Sequence, residues 1–423
     1  MHARVEVALE HDAKDPLRGF AERFHIPKRA DGGKAIYFCG HSLGLQPKTT
    51  AAYVQRELAD WVEMGVKGHG KEYRPWYSYH ELVRDYAAKV VGCKPTEVVA
   101  MNSLTTNLHL LMVSFYQPTP KRFKIVIEKH AFPSDVYAVK SQISYHGYNP
   151  DEALVVLEPE DGQMTISAEQ IDATLALHGE SIALIMLGGV NYLTGQAFDM
   201  KAIAEKGHKI GAYVGFDLAH AAGNLDLKLH DWNIDFACWC TYKYLNSGPG
   251  SIAGCFVHEK ASAKVTKRFE GWWGHDKAER FLMQGDFKQI GGAESWQLSN
   301  PPILPLACYL ASLEIFTEAG MTQLRRKSVQ LTAYLEQLLR EELGDTMTII
   351  TPPDPEKRGA QLSIIMQTNA EKVWTYLNEQ GIYCDLRKPN IIRIAPVPLY
   401  NGFEDVYRLV QALKEFHAGT KHG

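Results

Sequence analysis

Between Val98 and Val257 short apolar runs alternate with stretches of helical periodicity. The runs Val98–Met101, Lys124–Glu128, Leu154–Leu157, Ile182–Leu187, Ala212–Phe216, Phe236–Trp239 and Ile252–Val257 are continuous rather than alternating in polarity, the pattern of strands buried on both faces. Helical patterns over Leu104–Phe115, Ser134–Tyr145, Ala168–Leu177 and Met200–Gly207 separate the earlier runs. Such a βαβ series predicts an α/β fold with a mostly parallel seven-stranded sheet flanked by helices. Ligands of such sheets sit at the carboxyl ends of the strands. Upstream, Val54, Leu58, Trp61 and Val62 follow helical spacing over about Thr49–Gly65, and a loop with Gly65, Gly68, Gly70 and Pro75 follows. After Asn300-Pro301-Pro302 the pattern changes to two long helices, near 305–319 and 321–343, then strand Leu362–Met366, a helix over 372–380, a strand over 391–395 and a helix over 404–417. The chain therefore divides into an N-terminal segment (1–48) expected to pack on the small domain, a large domain (49–300) and a smaller α+β domain (301–423).

Composition narrows the function classes. The 423 residues are 45% apolar and 22% charged, which excludes disorder over most of the chain. A formal net charge of −4 carries no basic footprint for nucleic acid. No apolar run approaches the ~18 residues of a membrane helix, and acids interrupt the N-terminal stretch MHARVEVALEHDAKDPL, which does not read as a secretory leader. The seven cysteines are scattered, and only Cys238 and Cys240 are close, on one face of a strand. Without CxxC or Cys/His metal spacing they read as reduced structural thiols of a cytoplasmic protein without a metal site.

Neither a GxxxxGK[ST] phosphate loop nor a GxGxxG after the first strand occurs, and HExxH is absent, which disfavours P-loop NTPases, dinucleotide-dependent dehydrogenases and zinc hydrolases. The informative stretch is Tyr213–Gly250. Asp217 closes one apolar strand and Lys243 follows the next, 26 residues further on, so a parallel sheet brings both to one edge. A strand-end carboxylate beside a lysine in a glycine-rich loop suits pyridoxal phosphate: the carboxylate keeps the pyridine nitrogen protonated and the lysine forms the Schiff base. A turn-capping Asp and a solvated Lys would give the same pair. Asn102-Ser103-Leu104-Thr105-Thr106, between a strand and an apolar helix, forms an N-cap whose free N–H groups can hold a phosphate or serve ordinary capping. Phe132-Pro133-Ser134-Asp135 offers an aromatic to cover a flat ring and a carboxylate to bond its substituents, or, more plainly, a cap for the next helix.

The segments CGHSLGLQPK, MNSLTTNLHLLM, AFPSDVYA, FDLAHAAGN, YKYLNSGPG, EGWWGH, LSNPP and IRIAPVPLYN, in this order and over nearly the whole chain, resemble signatures of the kynureninases, in the aspartate-aminotransferase-like fold type I group of pyridoxal-phosphate enzymes. The resemblance implies Lys243 as the Schiff-base lysine, Asp217 as the pyridinium partner and His220 as a cofactor-site histidine. It implies Leu104, Thr105, Ser134, Tyr242 and Trp272 around the phosphate, Phe132 on the ring and Asp135 as a cofactor hydrogen-bond acceptor. Arg393 matches the arginine for the substrate α-carboxylate, and His69, Ser299 and Asn300 match residues around the substrate's aromatic ring. His41 replaces a common Asn, and Gly188 a Ser that some members place there. The implied protein is a homodimer in which Trp272 and Asn300 reach the neighbour's cofactor pocket. The implied reaction is hydrolysis of L-kynurenine or 3-hydroxy-L-kynurenine to an anthranilate and L-alanine, with Lys243 the base at Cα and Tyr242 a proton shuttle or phosphate ligand. Polar side chains at 69, 299 and 300 imply a preference for the 3-hydroxy substrate, and thereby a place in de novo NAD synthesis. The same-fold alternative is a cysteine desulfurase or class V aminotransferase.

Overall fold

The computed structural model describes residues 5–283 and 285–420. All seven expected strands form, as β1 (Val98–Ala100), β2 (Lys124–Glu128), β3 (Leu154–Leu157), β4 (Ile182–Gly188), β5 (Tyr213–Asp217), β6 (Phe236–Cys240) and β7 (Ala253–Val257). They make one sheet in the order β1-β7-β6-β5-β4-β2-β3. Pairing is parallel from β6 through β3, and β7 alone runs against its neighbours. The continuous apolar runs have a physical cause. Val126, Ile185, Val214, Phe216 and Trp239 enter one core, while Ile125, Ile127, Leu184, Met186 and Cys238 enter a second core on the opposite face.

The C-terminal sheet is antiparallel, with β8 (Met347–Ile349), β9 (Leu362–Met366), β10 (Asp385–Arg387) and β11 (Ile391–Ile394) in the order β8-β9-β11-β10. With the helices Met321–Leu343, Ala370–Glu379 and Phe403–Thr420 it forms a separate apolar core. β8 and β10 are short and carry polar residues, and periodicity does not reveal them.

Three expectations from the sequence differ from the structure. The helix Ile303–Ala319, expected to open the small domain, packs on the helices Thr50–Met64 and Tyr79–Val91, and its Leu306, Leu310, Leu313 and Phe316 lie in the large core. It is apolar over most of its circumference because most of it is buried, with Leu304, Thr317 and Glu318 left exposed. The N-terminal segment also divides its contacts, with Ala8 and Phe38 in the small core but Leu17, Phe24 and Leu45 in the large one. In the helix Thr50–Met64 the inner face is displaced from the expected one: Trp61 and Val62 are 64% and 90% exposed, whereas Glu57 is buried. Glu57 tolerates burial because it accepts hydrogen bonds from Lys71 Nζ, Trp76 Nε1 and Tyr79 Oη.

Candidate active site

A cavity of about 230 Å³ opens at the carboxyl edge of the large sheet. Each wall comes from a strand end or the loop after it. Asp217 ends β5, and parallel pairing of β5 with β6 brings the loop carrying Tyr242 and Lys243 to the same edge. Glu128 ends β2, and the loop after it carries Phe132, Ser134 and Asp135. The β1 end leads into the helix Leu104–Phe115, whose first residues Leu104 and Thr105 complete the wall. Gly44 packs under the lysine loop: its N–H donates to the Tyr242 carbonyl at 2.8 Å, and an added Cβ would stand 2.3 Å from the Lys243 carbonyl oxygen. The GHSLGL segment is thus the floor on which the lysine loop rests.

Charge is concentrated at the sheet edge. Asp217 is buried, accepts the Ala219 N–H at 2.7 Å and shares a side-chain hydrogen bond with Asp135. Burial raises both carboxyls; the Asp217 charge adds to the rise at Asp135, while the hydrogen bond opposes it at Asp217. Both carboxyls therefore hold a proton more readily than separate, solvated ones would. Glu128, a third carboxyl, is pushed up to about 7 by burial and by Asp217, and accepts the Gly188 N–H on both oxygens at 3.2 Å. Lys243 Nζ lies 5.9 Å from the centre of the Phe132 ring, and Tyr192 meets that ring edge-on at 5.2 Å.

His220 lines the cavity in a turn rather than a helix, and His41 lies behind it with ring centres 6.3 Å apart. Burial, with Lys243 and Arg393 nearby, pushes both imidazoles well below their ordinary range, so both are neutral. The Tyr242 phenol is raised, first by burial, and is a donor at neutral pH. Arg393, on β11, is 1% exposed; its Nε donates to Asp385 and its Nη1 to the Tyr192 carbonyl, both at 2.7 Å.

Several polar groups here lack a partner within the described chain. Asp135 Oδ1, His220 Nδ1 and both His41 ring nitrogens are buried without a hydrogen bond. No side chain caps the helix Leu104–Phe115, because Ser103 Oγ pairs with Thr106 Oγ1 and Thr105 Oγ1 with Ser134 Oγ. A flat nitrogen heterocycle bearing polar substituents and a phosphate matches this set: an anion for the free helix N–H groups, a cationic ring N–H for Asp217, and acceptors and donors for Asp135 and His220.

Arg393 reaches the cavity wall through Tyr192 without lining it, and the remaining candidates do not line it either. His69 lies in the short helix Gly65–Gly70 and stacks on Tyr77 at 4.7 Å; Tyr77 touches Phe281, which meets Trp272 at 5.5 Å. Trp272 is 41% exposed, and its Nε1 donates to the Arg280 carbonyl. Ser299 and Asn300 are exposed and follow Leu298, against which Gly271 packs. His69 and Trp272 are thus linked through Tyr77 and Phe281, and Ser299 and Asn300 lie on the segment packed against Gly271. Sequence reasoning passed over Glu128 and Tyr192. The signal for Glu128 was its place as the only acid in an apolar strand.

A family model described as the kynureninase C-terminal domain matches residues 324–413. A kynureninase from Myxococcus xanthus is 55% identical over 97% of this chain and 96% of its own length. One from Koribacter versatilis is 54% identical over 96% of each. This chain belongs to the kynureninase family. The fold is shared more widely. A cystine C-S lyase solved with cysteine persulfide superposes with a TM-score of 0.76 at 17% identity, covering 90% of this chain and 97% of that one. A cysteine desulfurase from Escherichia coli gives 0.75 at 16% identity, covering 94% and 98%. At these identities the likeness is one of fold: the α/β architecture expected from the strand pattern and the fold type I implied by the resemblance.

Proposed function

We propose that this family member is a pyridoxal-phosphate-dependent hydrolase that cleaves the Cβ–Cγ bond of kynurenines, with water as co-substrate and L-alanine and an anthranilate as products. The observation that carries the reading is Lys243 beside the buried Asp135–Asp217 pair at the open sheet edge, with Arg393 held near them. Lys243 would hold the cofactor covalently. The helix N–H groups of Leu104 and Thr105, the hydroxyls of Thr105 and Ser134, and Tyr242 would take its phosphate, while Phe132 covers its ring and Asp135 and His220 bond its substituents. When bound, the cofactor supplies an electron-withdrawing ring that stabilises negative charge at the substrate Cα. Asp217 keeps the proton on the ring nitrogen. Lys243 would then serve as the base that takes the substrate Cα proton. Arg393 orients the substrate through its α-carboxylate, and the neutral Tyr242 hydroxyl donates a proton on the leaving side.

A desulfurase of the same fold needs a reactive thiolate. Here burial raises the thiols of Cys238, Cys240, Cys255 and Cys384, which sit in or between strands, so the hydrolase reading is favoured.

The working unit of this reading is a homodimer in the cytoplasm. Trp61, Val62, Val66, Leu282 and Met283 expose apolar side chains, and Trp272 lies close to this kind of surface. An interface built there would carry Trp272 and Asn300, with His69 and Ser299, to the cavity of the second copy. The test is complementation: Lys243→Ala and Asn300→Ala proteins, each inactive alone, regain roughly a quarter of wild-type activity when mixed, because half of randomly formed dimers have one intact site of two. The substrate preference rests on the polar character of His69, Ser299 and Asn300. A pocket built to bond a ring hydroxyl leaves buried groups unpaired with plain kynurenine, at ~1–3 kcal/mol each. Comparison of kcat/KM for the two substrates decides it, and a His69→Trp, Ser299→Gly, Asn300→Thr variant loses the preference.

A further inference from the structure

The loop that carries His69 is tied down by an ion pair that the reaction does not use. Lys71 is 8% exposed, and its Nζ lies 2.6 Å from Glu57 and 2.5 Å from Asp60. Glu57, 2% exposed, also accepts from Trp76 Nε1 at 2.8 Å and Tyr79 Oη at 3.0 Å. Three groups thus converge on one buried carboxylate in the middle of a helix whose Trp61 and Val62 face solvent. The Trp76 ring held in this way closes over the loop. Lys71 Nζ stands 5.3 Å from its centre, and at Gly68 a Cβ would fall 2.4 Å from the ring, so only glycine allows this approach. His69, between Gly68 and Gly70, meets Trp76 edge-on at 5.6 Å and lies flat on Tyr77, 4.7 Å away at 9°.

A loop with three glycines among its residues 65–70 has many conformations available, and ordering it costs entropy. A buried ion pair is a weak source of stability, since apolar side chains of similar volume often serve as well or better. What it does supply is a fixed geometry, because a lysine ammonium between two carboxylates leaves its loop one position. From this arrangement we propose that Glu57 and Lys71 are positioning residues for substrate selection: through Trp76 they fix the His69 ring in the orientation that reads the substrate's aromatic ring. The inference rests on the reading of His69 as a substrate-facing residue.

The test measures kcat/KM for 3-hydroxykynurenine and kynurenine in the cofactor-loaded wild type and in Lys71→Met, Lys71→Arg, His69→Ala and the Lys71→Met/His69→Ala double variant. The absorbance of the bound cofactor and amide hydrogen exchange over residues 65–78 are followed alongside. Lys71→Met is expected to lower the 3-hydroxykynurenine-to-kynurenine ratio about tenfold, mostly through KM, to raise exchange in the loop and to leave the cofactor absorbance unchanged. Lys71→Arg is expected to recover most of the ratio. Adding Lys71→Met to His69→Ala is expected to change the ratio no further, since both act through one ring. If His69→Ala lowers the ratio while Lys71→Met retains it, the positioning role is overturned. If His69→Ala itself leaves the ratio unchanged, the substrate-facing reading fails and the proposal falls with it. Should Lys71→Met fail to fold, Asp60→Asn, which removes the more exposed carboxylate of the pair, replaces it with the same expected direction and the same overturning result.

Discussion

Replacing Arg393 by lysine tests the substrate end of the site. The guanidinium is almost wholly buried and two of its nitrogens are committed, Nε to Asp385 and Nη1 to the Tyr192 carbonyl. These bonds hold the plane of the fork, and Nη2 has no partner among the described residues, so a carboxylate can approach the Nη1/Nη2 side with two parallel contacts. A lysine has one ammonium on a flexible stem. Asp385 keeps a cation in Arg387, 3.0 Å away, so the loss falls on the Tyr192 carbonyl and on the incoming carboxylate. A hydrogen bond to a charged group contributes about 1.5–3 kcal/mol, and about 1.4 kcal/mol is a factor of ten in affinity. One lost bond to the substrate therefore raises KM roughly 10- to 100-fold. The effect on kcat is smaller, because the α-carboxylate is bound in the ground state and the transition state alike. The assay is steady-state kinetics followed by anthranilate fluorescence, with the bound cofactor's absorbance as the control for an intact site. A KM within twofold of wild type, with that absorbance intact, would refute the assignment and leave Arg393 as a structural partner of Asp385.

Lys243→Ala is expected to abolish turnover and the visible band of the bound cofactor; a retained band would place the covalent attachment elsewhere. Asp217→Asn should depress kcat far more than cofactor affinity, because the phosphate contacts are untouched, and equilibrium dialysis beside kinetics separates the two. Glu128 offers a pH test in cofactor-free protein. Its carboxyl titrates near 7 when folded, above its ordinary 4.5, so between these values the folded state holds a proton the unfolded state has released. Its contribution therefore becomes less favourable as pH rises through that window. Glu128→Gln should gain thermal stability over wild type at pH 8 and lose that advantage towards pH 5; a constant difference in Tm would contradict the shift. Gly254→Ala should lower stability by ~1–3 kcal/mol through overpacking, since the new Cβ would stand 2.1 Å from the Trp239 ring across the strand pair, and thermal unfolding reads it directly.

What the sequence reveals depends on how local the cause is. All seven strands of the large sheet were legible because burial on both faces leaves a continuous apolar run. Asp217 and Lys243 could be assigned to one edge because the parallel series set by the earlier helical crossovers continues into these strands, although turns rather than a helix join the two. The helix Ile303–Ala319 was assigned to the wrong core because the Asn300-Pro301-Pro302 break ends a segment without saying which core the next one joins. Trp61 and Val62 matched the period of a buried stripe, but Glu57 holds the inner position through partners 14 to 22 residues away, a distance no window of periodicity spans. Glu128 closes a strand as many solvated acids do, so its place as the only acid of an apolar strand was passed over until the Gly188 N–H and the neighbouring Asp217 gave it a reason. For Trp272 and Asn300 the resemblance already implies a place in a neighbouring copy; for His69 and Ser299 the separation from the cavity was beyond reach, because motif order along a chain does not say whether residues meet within one copy or between two.

The parallel pairing of Ile36–Tyr37 with Ile382–Tyr383 joins positions 346 residues apart. At ~5–20 residues per second of synthesis, the first of these strands waits roughly 20–70 s for its partner. Throughout that interval Phe38 has no core to enter, since the apolar residues that cover it come from the last third of the chain. The beginning of the molecule is thus among the last parts to find its place, and a nascent chain halted after the large sheet would present this edge to chaperones or to other chains.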